Sequence, residues 1–303
     1  MRDAVKLGLG TAQFGLDYGV SNREGMTSED EARRVLQLAS GHGVKVIDTA
    51  RAYGRSQEVL GRCLPAGHGF DIVTKTAPLR TASISRAQIA GVAVQFEESL
   101  ALLRQERVYG LLVHHAGDVL AAGGEGVVDA LRALQGRGLA RKIGVSVYDA
   151  RELDGVLARW TPDIVQLPLS VLDQRLIASG HVAQLARLGV EIHVRSVFLQ
   201  GLLLMAPEAI PAPLQGAARS VAEFQAFAAA GGCSPASAAL QFGAALPGVR
   251  AVLAGVNNAA QLDELLDYGS CAVDAAAGLD GAAMARFALA DEALLNPAQW
   301  RLQ

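Results

Sequence analysis

A single (β/α)8 TIM barrel is the fold class this sequence predicts, and three observations predict it. Short apolar runs alternate with longer stretches of helical period along the whole chain of 303 residues. The runs are too continuously apolar for half-exposed antiparallel strands and suit a parallel sheet buried on both faces. No linker or low-complexity tract divides the chain, so residues 1–303 read as one barrel domain.

The candidate strands are Lys6–Gly10, Val44–Asp48, Asp71–Lys75, Tyr109–His114, Lys142–Ser146, Ile164–Leu167, Glu191–Ser196 and Ala251–Ala254. Between them, "TSEDEARRVLQLASGHG" predicts a helix capped by Thr27 or Ser28, with acids in its first turn and Ala32, Val35, Leu36 and Ala39 on one face. "SQEVLGRCL" predicts a helix with Ser56 as cap, and "SISRAQIAGVAVQFEESLALLR" one long enough for about five turns. "EGVVDALRALQGRG" and "DARELDGVLARW" follow the same logic. "NNAAQLDELLDYG" opens on two asparagines able to cap and closes on Gly269. The connection from Val197 to Arg250 is the longest, and predicts a functional loop with an additional helical segment between strands seven and eight. A C-terminal tail follows the last barrel helix. The alternative, a doubly wound sheet, would place a G-x-G-x-x-G turn and a helix after the first strand. "GLGTAQFG" reads as a loop instead.

Composition narrows the function. Hydrophobic residues make up 51% and charged residues 19%, enough apolar content for a large core. A net charge of −3 offers no electrostatic reason to expect nucleic acid or an anionic membrane as partner. No apolar run approaches the ~20 residues of a membrane span, and the N-terminus lacks a secretory pattern. Cys63, Cys233 and Cys271 are odd in number and widely spaced, which predicts reduced thiols and a cytoplasmic setting.

In such a barrel the C-terminal ends of the strands share the face that carries chemistry. There the sequence places Asp48, with Tyr53 in the following loop, then Lys75, His114 and His115, Ser146, Gln166, Arg195 and Ser196. Each has an ordinary reading alone: Asp48 as a cap, Tyr53 as a core aromatic, Lys75 as a solvated strand end, Arg195 as an ion-pair partner. As a group they predict acid–base work by a phenol. A buried lysine beside a tyrosine should lower the phenol pKa from about 10, and an aspartate would compensate the buried cation. A histidine nearby is suited to orient a substrate oxygen. A proton donor beside a carbonyl leaves the carbon in need of a hydride, which side chains cannot supply, so a cofactor is implied. The adjacent pair His114–His115 argues against a metal, because neighbours on a strand point to opposite faces.

With these residues in place, the chain resembles the aldo-keto reductases. The family's aspartate, tyrosine, lysine and histidine match Asp48, Tyr53, Lys75 and His114 in order. The similarity extends through "LGLGTAQFG", "IDTARAYGRSQEVLG", "IGVS", "VQLPLSVLD" and "GVNNAAQLDELL". The resemblance implies an NAD(P)H-dependent oxidoreductase that reduces an aldehyde, ketone or sugar carbonyl, with Tyr53 as general acid. It implies a cofactor held extended by Thr11, Asp48, Ser146, Gln166, Arg195, Ser196, Phe198, Leu199, Gly201, Gly255, Asn257 and Gln261. The substrate pocket would be lined by Phe14, Tyr18, His115 and Trp300. Two departures stand out. The family's asparagine after the serine that ends the fifth strand, Ser146, is Val147 here. Asn257 and Gln261 occupy positions where many relatives carry the cations that hold the cofactor's 2'-phosphate. NADPH remains the expected cofactor from the family, with NADH the alternative. Backbone amides at the helix start could still bind a phosphate, and Arg250 or a loop arginine could substitute for the missing cations. The competing functions are a non-catalytic cofactor-binding regulatory barrel, which has no use for a Lys75–Tyr53 pairing, and a metal-dependent hydrolase.

Overall fold

The computed structural model describes residues 6–268 and 281–300. Eight parallel strands close into a barrel in sequential order, each paired with its chain neighbour and the eighth with the first. They are β1 Leu7–Gly10, β2 Val46–Asp48, β3 Asp71–Lys75, β4 Val108–Val113, β5 Ala140–Ser146, β6 Ile164–Pro168, β7 Glu191–Arg195 and β8 Val249–Gly255. The eight apolar runs of the sequence are these strands, with ends displaced by a residue or two.

Side chains alternate across the wall. Leu9, Ile47, Ile72, Leu111, Ile143, Val165, Ile192, Val194 and Val252 face outward into the larger core beneath the helices. Val46, Val73, Leu112, Ile164, Ala251 and Leu253 form a separate cluster that fills the barrel's interior. Glycine makes room for this filling: a Cβ on Gly8 would stand 2.7 Å from Leu253, and one on Gly110 would stand 3.0 Å from Ile164. The polar side chains at the strand ends therefore rest on a dry plug.

The helices follow their sequence signals. Ser28 caps Glu29–Gly41 by accepting from the Glu31 N–H, and its buried face is Ala32, Val35, Leu36 and Ala39. Arg86–Leu103 carries a reciprocal capping box between Ser85 and Gln88. Asp149 caps Ala150–Leu157, and Asn258 caps Ala259–Leu266. The helix Ser56–Cys63 corrects one expectation: Arg55 occupies its cap position, and the Ser56 hydroxyl is turned into the protein. The long β7–β8 connection holds 3-10 turns around its prolines and two helices, Ala218–Ala230 and Pro235–Ala245.

The expectation of reduced thiols also needs correction. Cys63 is a buried free thiol, but Cys233 is disulfide-bonded. Gly269 and Cys271 lie outside the described residues. No described helix is long and apolar enough to cross a membrane.

Candidate active site

The four strand-end residues meet in one chain of contacts. The Lys75 ammonium donates to both oxygens of Asp48 at 2.7 Å, to the Thr49 carbonyl at 3.0 Å and to the Tyr53 hydroxyl at 3.3 Å. Lys75 is 1% exposed and Asp48 4% exposed, so this is a buried ion pair. The pair persists because each charge is bonded several times over. Gln166 on β6 donates its amide to Asp48 Oδ1 at 2.7 Å, reaching across the barrel mouth. The Tyr53 and His114 rings meet edge to face with centroids 5.8 Å apart.

Burial pushes the Tyr53 phenol well above its ordinary range, and the Asp48 charge adds to the push. The sequence suggested the opposite. The reason is local: the Lys75 charge is already matched by Asp48, so burial outweighs it. The phenol is consequently held protonated, the form a proton donor needs. Burial, aided by the Lys75 and Arg195 cations, lowers His114 to about 3. Its ring is therefore neutral at ordinary pH. His114 Nδ1 is buried without a partner. An unpaired acceptor there costs less than an unpaired N–H, so the proton belongs on Nε2, free to be donated to a substrate oxygen.

A small hydroxyl cluster supports the aspartate. Thr11, fully buried, donates to the Asp48 carbonyl at 2.9 Å, and its backbone N–H bonds the same oxygen at 3.0 Å. Ser56 lies 2.8 Å from the Thr11 hydroxyl and 3.0 Å from that of Thr49. Thr11, expected at the cofactor, thus acts here on the backbone of Asp48.

The other expected cofactor contacts divide. Ser146 and Gln166 are register partners on β5 and β6, both buried. With the Gln166 amide nitrogen engaged by Asp48, its carbonyl oxygen and the Ser146 hydroxyl are the groups suited to a carboxamide. The Arg195 guanidinium carbon lies over the Tyr148 ring, 4.2 Å from its centroid, and the group donates to the Val147 carbonyl at 3.0 Å. The valine that replaces the family's asparagine therefore contributes its backbone. Ser196, Leu199 and Gln200 all have positive φ, at 61°, 47° and 55°, and precede Gly201 at 94°. Such strain in non-glycine residues concentrates at functional loops. This loop bends toward the one after β1: Gln200 donates to the Tyr18 hydroxyl at 3.3 Å, and a Cβ on Gly201 would run into Ser21. Phe198 is half-buried beside the outer core, while Leu199 is buried, so its backbone is what it offers a ligand. Gly255 is exposed at the mouth, where a Cβ would strike the Gln13 side chain, whose Oε1 is buried and unpartnered.

Of the expected pocket residues, Tyr18 stands near Tyr53, Arg195 and Tyr148, and burial raises its pKa. His115 is bound by Asp118 through Nδ1 at 3.3 Å. Phe14 is a correction: it is fully buried in the outer core and cannot line a pocket. The 3-10 turn Ala12–Phe14 points that ring inward. Trp300 packs against the outer core with its indole N–H buried. Sequence reading missed Tyr148, although an aromatic two residues beyond a strand-end serine was a usable signal. It also missed the carboxylates Glu24 and Glu31, which reach the start of helix Ala259–Leu266 from a distant part of the chain. Among the described residues no group of three or more His, Cys, Asp or Glu is arranged to hold a metal.

The donor set suits a nicotinamide: a buried hydroxyl and amide oxygen beside a phenol and an imidazole, over an apolar barrel plug. Comparison with known proteins agrees. The Aldo/keto reductase family profile matches residues 6–276. Aldo-keto reductase YhdN of Bacillus subtilis (strain 168) is 26% identical over 181 residues, 57% of this chain and 53% of that protein, so the match spans about half of the curated relative. The structure of aldo-keto reductase AKR11C1 from Bacillus halodurans, in its holo form, superposes with a TM-score of 0.75 at 18% identity, covering 97% of this chain and 94% of that one. The Bombyx mori aldo-keto reductase AKR2E4, in complex with NADP, superposes with a TM-score of 0.67 at 20% identity, covering 93% and 89%. At such identities the two structures speak to the fold alone. The family profile covers most of the chain, and the chain belongs to the aldo/keto reductase family.

Proposed function

We propose that this chain is a nicotinamide-dinucleotide-dependent reductase, converting the carbonyl of an aldehyde, ketone or sugar to an alcohol and running reversibly. The observation that carries the reading is the buried chain from Asp48 through Lys75 to the Tyr53 hydroxyl, at 2.7 Å and 3.3 Å. A bound dinucleotide supplies the hydride; in the family NADPH is the usual form.

The residues' roles follow from their protonation states. The substrate oxygen accepts hydrogen bonds from the Tyr53 hydroxyl and from His114 Nε2. Both groups are neutral donors and neither needs to change charge before reaction. As the carbonyl carbon gains hydride, the oxygen becomes basic and takes the phenolic proton. The resulting phenolate lies against the Lys75 ammonium, whose charge is then shared between Asp48 and Tyr53. The negative charge thus develops where a fixed, buried cation already waits. In oxidation, Tyr53 must first lose its proton. Ser146 and the Gln166 carbonyl would hold the carboxamide, and the loop from Ser196 to Gly201 would flank the dinucleotide. Tyr18, Tyr148, Arg195 and His115 are the groups that would meet the rest of the substrate.

The test follows NADPH or NADH oxidation with a panel of aldehydes, ketones and sugars. Turnover by the wild type and a loss of about 10²–10⁴ in Tyr53→Phe are expected. Equal rates for the two proteins would overturn the mechanism.

A further inference from the structure

The region expected to hold the 2'-phosphate of NADP does not fit a phosphate. Its helix, Ala259–Leu266, begins beside the start of helix Glu29–Gly41, tied by a bond from the Thr27 hydroxyl to the Asn257 carbonyl at 3.1 Å. A helix start binds phosphate through free N–H groups, helped by nearby cations. Here three of these donors are already engaged. The Ala259 N–H is bound by a Glu31 carboxylate oxygen at 2.6 Å. The Gln261 N–H is bound by the Asn258 side chain at 2.9 Å, and the Asn257 N–H by the Gln261 side chain at 2.8 Å. The Asn258 amide donates to both oxygens of Glu24, at 3.2 Å and 3.0 Å, and the Asn257 amide donates to Asn22.

The cations are turned elsewhere. Arg34 is paired with Glu31. Arg250, the substitute the sequence offered, stands at the start of β8, the opposite end of the barrel from the active face, and pairs with Asp71 and Glu191. Arg23 is an exposed loop residue beside Glu24, where solvent screens its charge. A phosphate monoester arriving here would meet two carboxylates, with three of the backbone donors at the helix start already engaged. A ribose hydroxyl is the opposite kind of group: it can donate to a carboxylate and carries no charge to be repelled.

We propose that Glu24 and Glu31 are specificity-determining residues that make this barrel select NAD(H) over NADP(H), by capping the helix start with carboxylates that accept from the adenosine ribose diol and repel a 2'-phosphate. The inference rests on the reductase reading, in which the adenosine end of the dinucleotide runs to Asn257 and Gln261.

Isothermal titration of the intact protein with NADH, NADPH, 5'-ADP and 2',5'-ADP tests it without relying on turnover. The wild type is expected to bind NADH and 5'-ADP about tenfold or more tightly than their 2'-phosphorylated counterparts, since like charges at close quarters are strongly discriminating. In Glu24→Gln, and more so in Glu24→Gln/Glu31→Gln, the phosphorylated ligands should gain about tenfold in affinity while the unphosphorylated ones change little or weaken. Glu24→Gln, at an exposed position, reads the same effect without disturbing the Glu31 cap. Equal or tighter binding of NADPH by the wild type overturns the inference. So does a parallel shift of all four ligands in the variants. Failure to bind either dinucleotide overturns both the inference and the reductase reading beneath it, whereas binding both without discrimination overturns the inference alone.

Discussion

The two ends of this barrel carry the same four kinds of side chain, and only one end is arranged as the proposed chemistry requires. At the C-terminal mouth are Asp48, Lys75, Tyr53 and His114. At the N-terminal floor are Glu191, Lys142, Tyr109 and His193, joined by Arg250 and Asp71. On the floor, Glu191 gathers everything: Tyr109 donates to it at 2.8 Å, Lys142 pairs with it at 2.5 Å, and His193 Nε2 lies 2.8 Å away. Three cations also crowd the Tyr109 ring, within 5.2–5.7 Å of its centroid. The floor tyrosine is thereby bound to a carboxylate that accepts its proton in a static bond. At the mouth the tyrosine hydroxyl faces an ammonium, and the carboxylate sits behind that ammonium. The order of charges differs, so one phenol is a strut and the other, in the proposed reaction, is a proton donor with a cation ready for its phenolate. Conservation of residue type between the two ends would mislead; the sequence of contacts decides.

Breaking the phenols separately gives the largest contrast. Tyr53→Phe should cost about 10²–10⁴ in reduction rate, whereas Tyr109→Phe should leave it within about twofold, measured by steady-state turnover. The lysines come next, read by urea unfolding. Lys75→Met strands the buried Asp48 and should destabilise the protein by about 3–5 kcal/mol. Lys142, whose side chain is 31% exposed, should cost about 1 kcal/mol or less in Lys142→Met. Ser56→Ala removes a shared partner of Thr11 and Thr49 and should cost about 1–3 kcal/mol, with some loss of turnover through Asp48.

Acid stability separates the ends in pH and is the subtlest effect. His114 has a folded pKa of about 3 against an ordinary 6.5, so the unfolded chain binds its proton more readily and stability falls as pH drops below 6.5. Burial pushes the Glu191 carboxyl up, but the bonds from His193 and Lys142 outweigh it and lower it from 4.5 to about 2, so its share is lost only as pH falls below 4.5. Thermal melts should show His114→Asn flattening the upper window and Glu191→Gln the lower one. If both variants flatten the same window, the assignment of these groups fails.

Much of the site was legible because strand ends in a parallel barrel are fixed by the apolar runs that precede them. Asp48, Lys75, His114, Ser146 and Gln166 were found this way, since a two-residue period and a buried wall leave few choices of direction. Tyr148 and Gln200 escaped because they lie on loops, where no period says which way a side chain turns. Ser56 looked like a helix cap, since local sequence shows a serine before an apolar pattern. Its hydroxyl instead bonds Thr11, whose position 45 residues earlier no local signal conveys. Phe14 failed for the same reason, its ring being claimed by the outer core rather than by the mouth.

The sequence by itself determined the barrel, the face that carries the site and the residues facing one another there, because hydrophobic period and chain order are local properties. Tertiary structure alone decided which of those polar groups remain available. Thr11, Arg250, the Asn257 side-chain amide and the Ala259 N–H are engaged by residues remote in sequence, and His114 keeps one ring nitrogen without a partner. A hydrogen-bonding group satisfied from across the fold is lost to a ligand, and only the folded contacts reveal it.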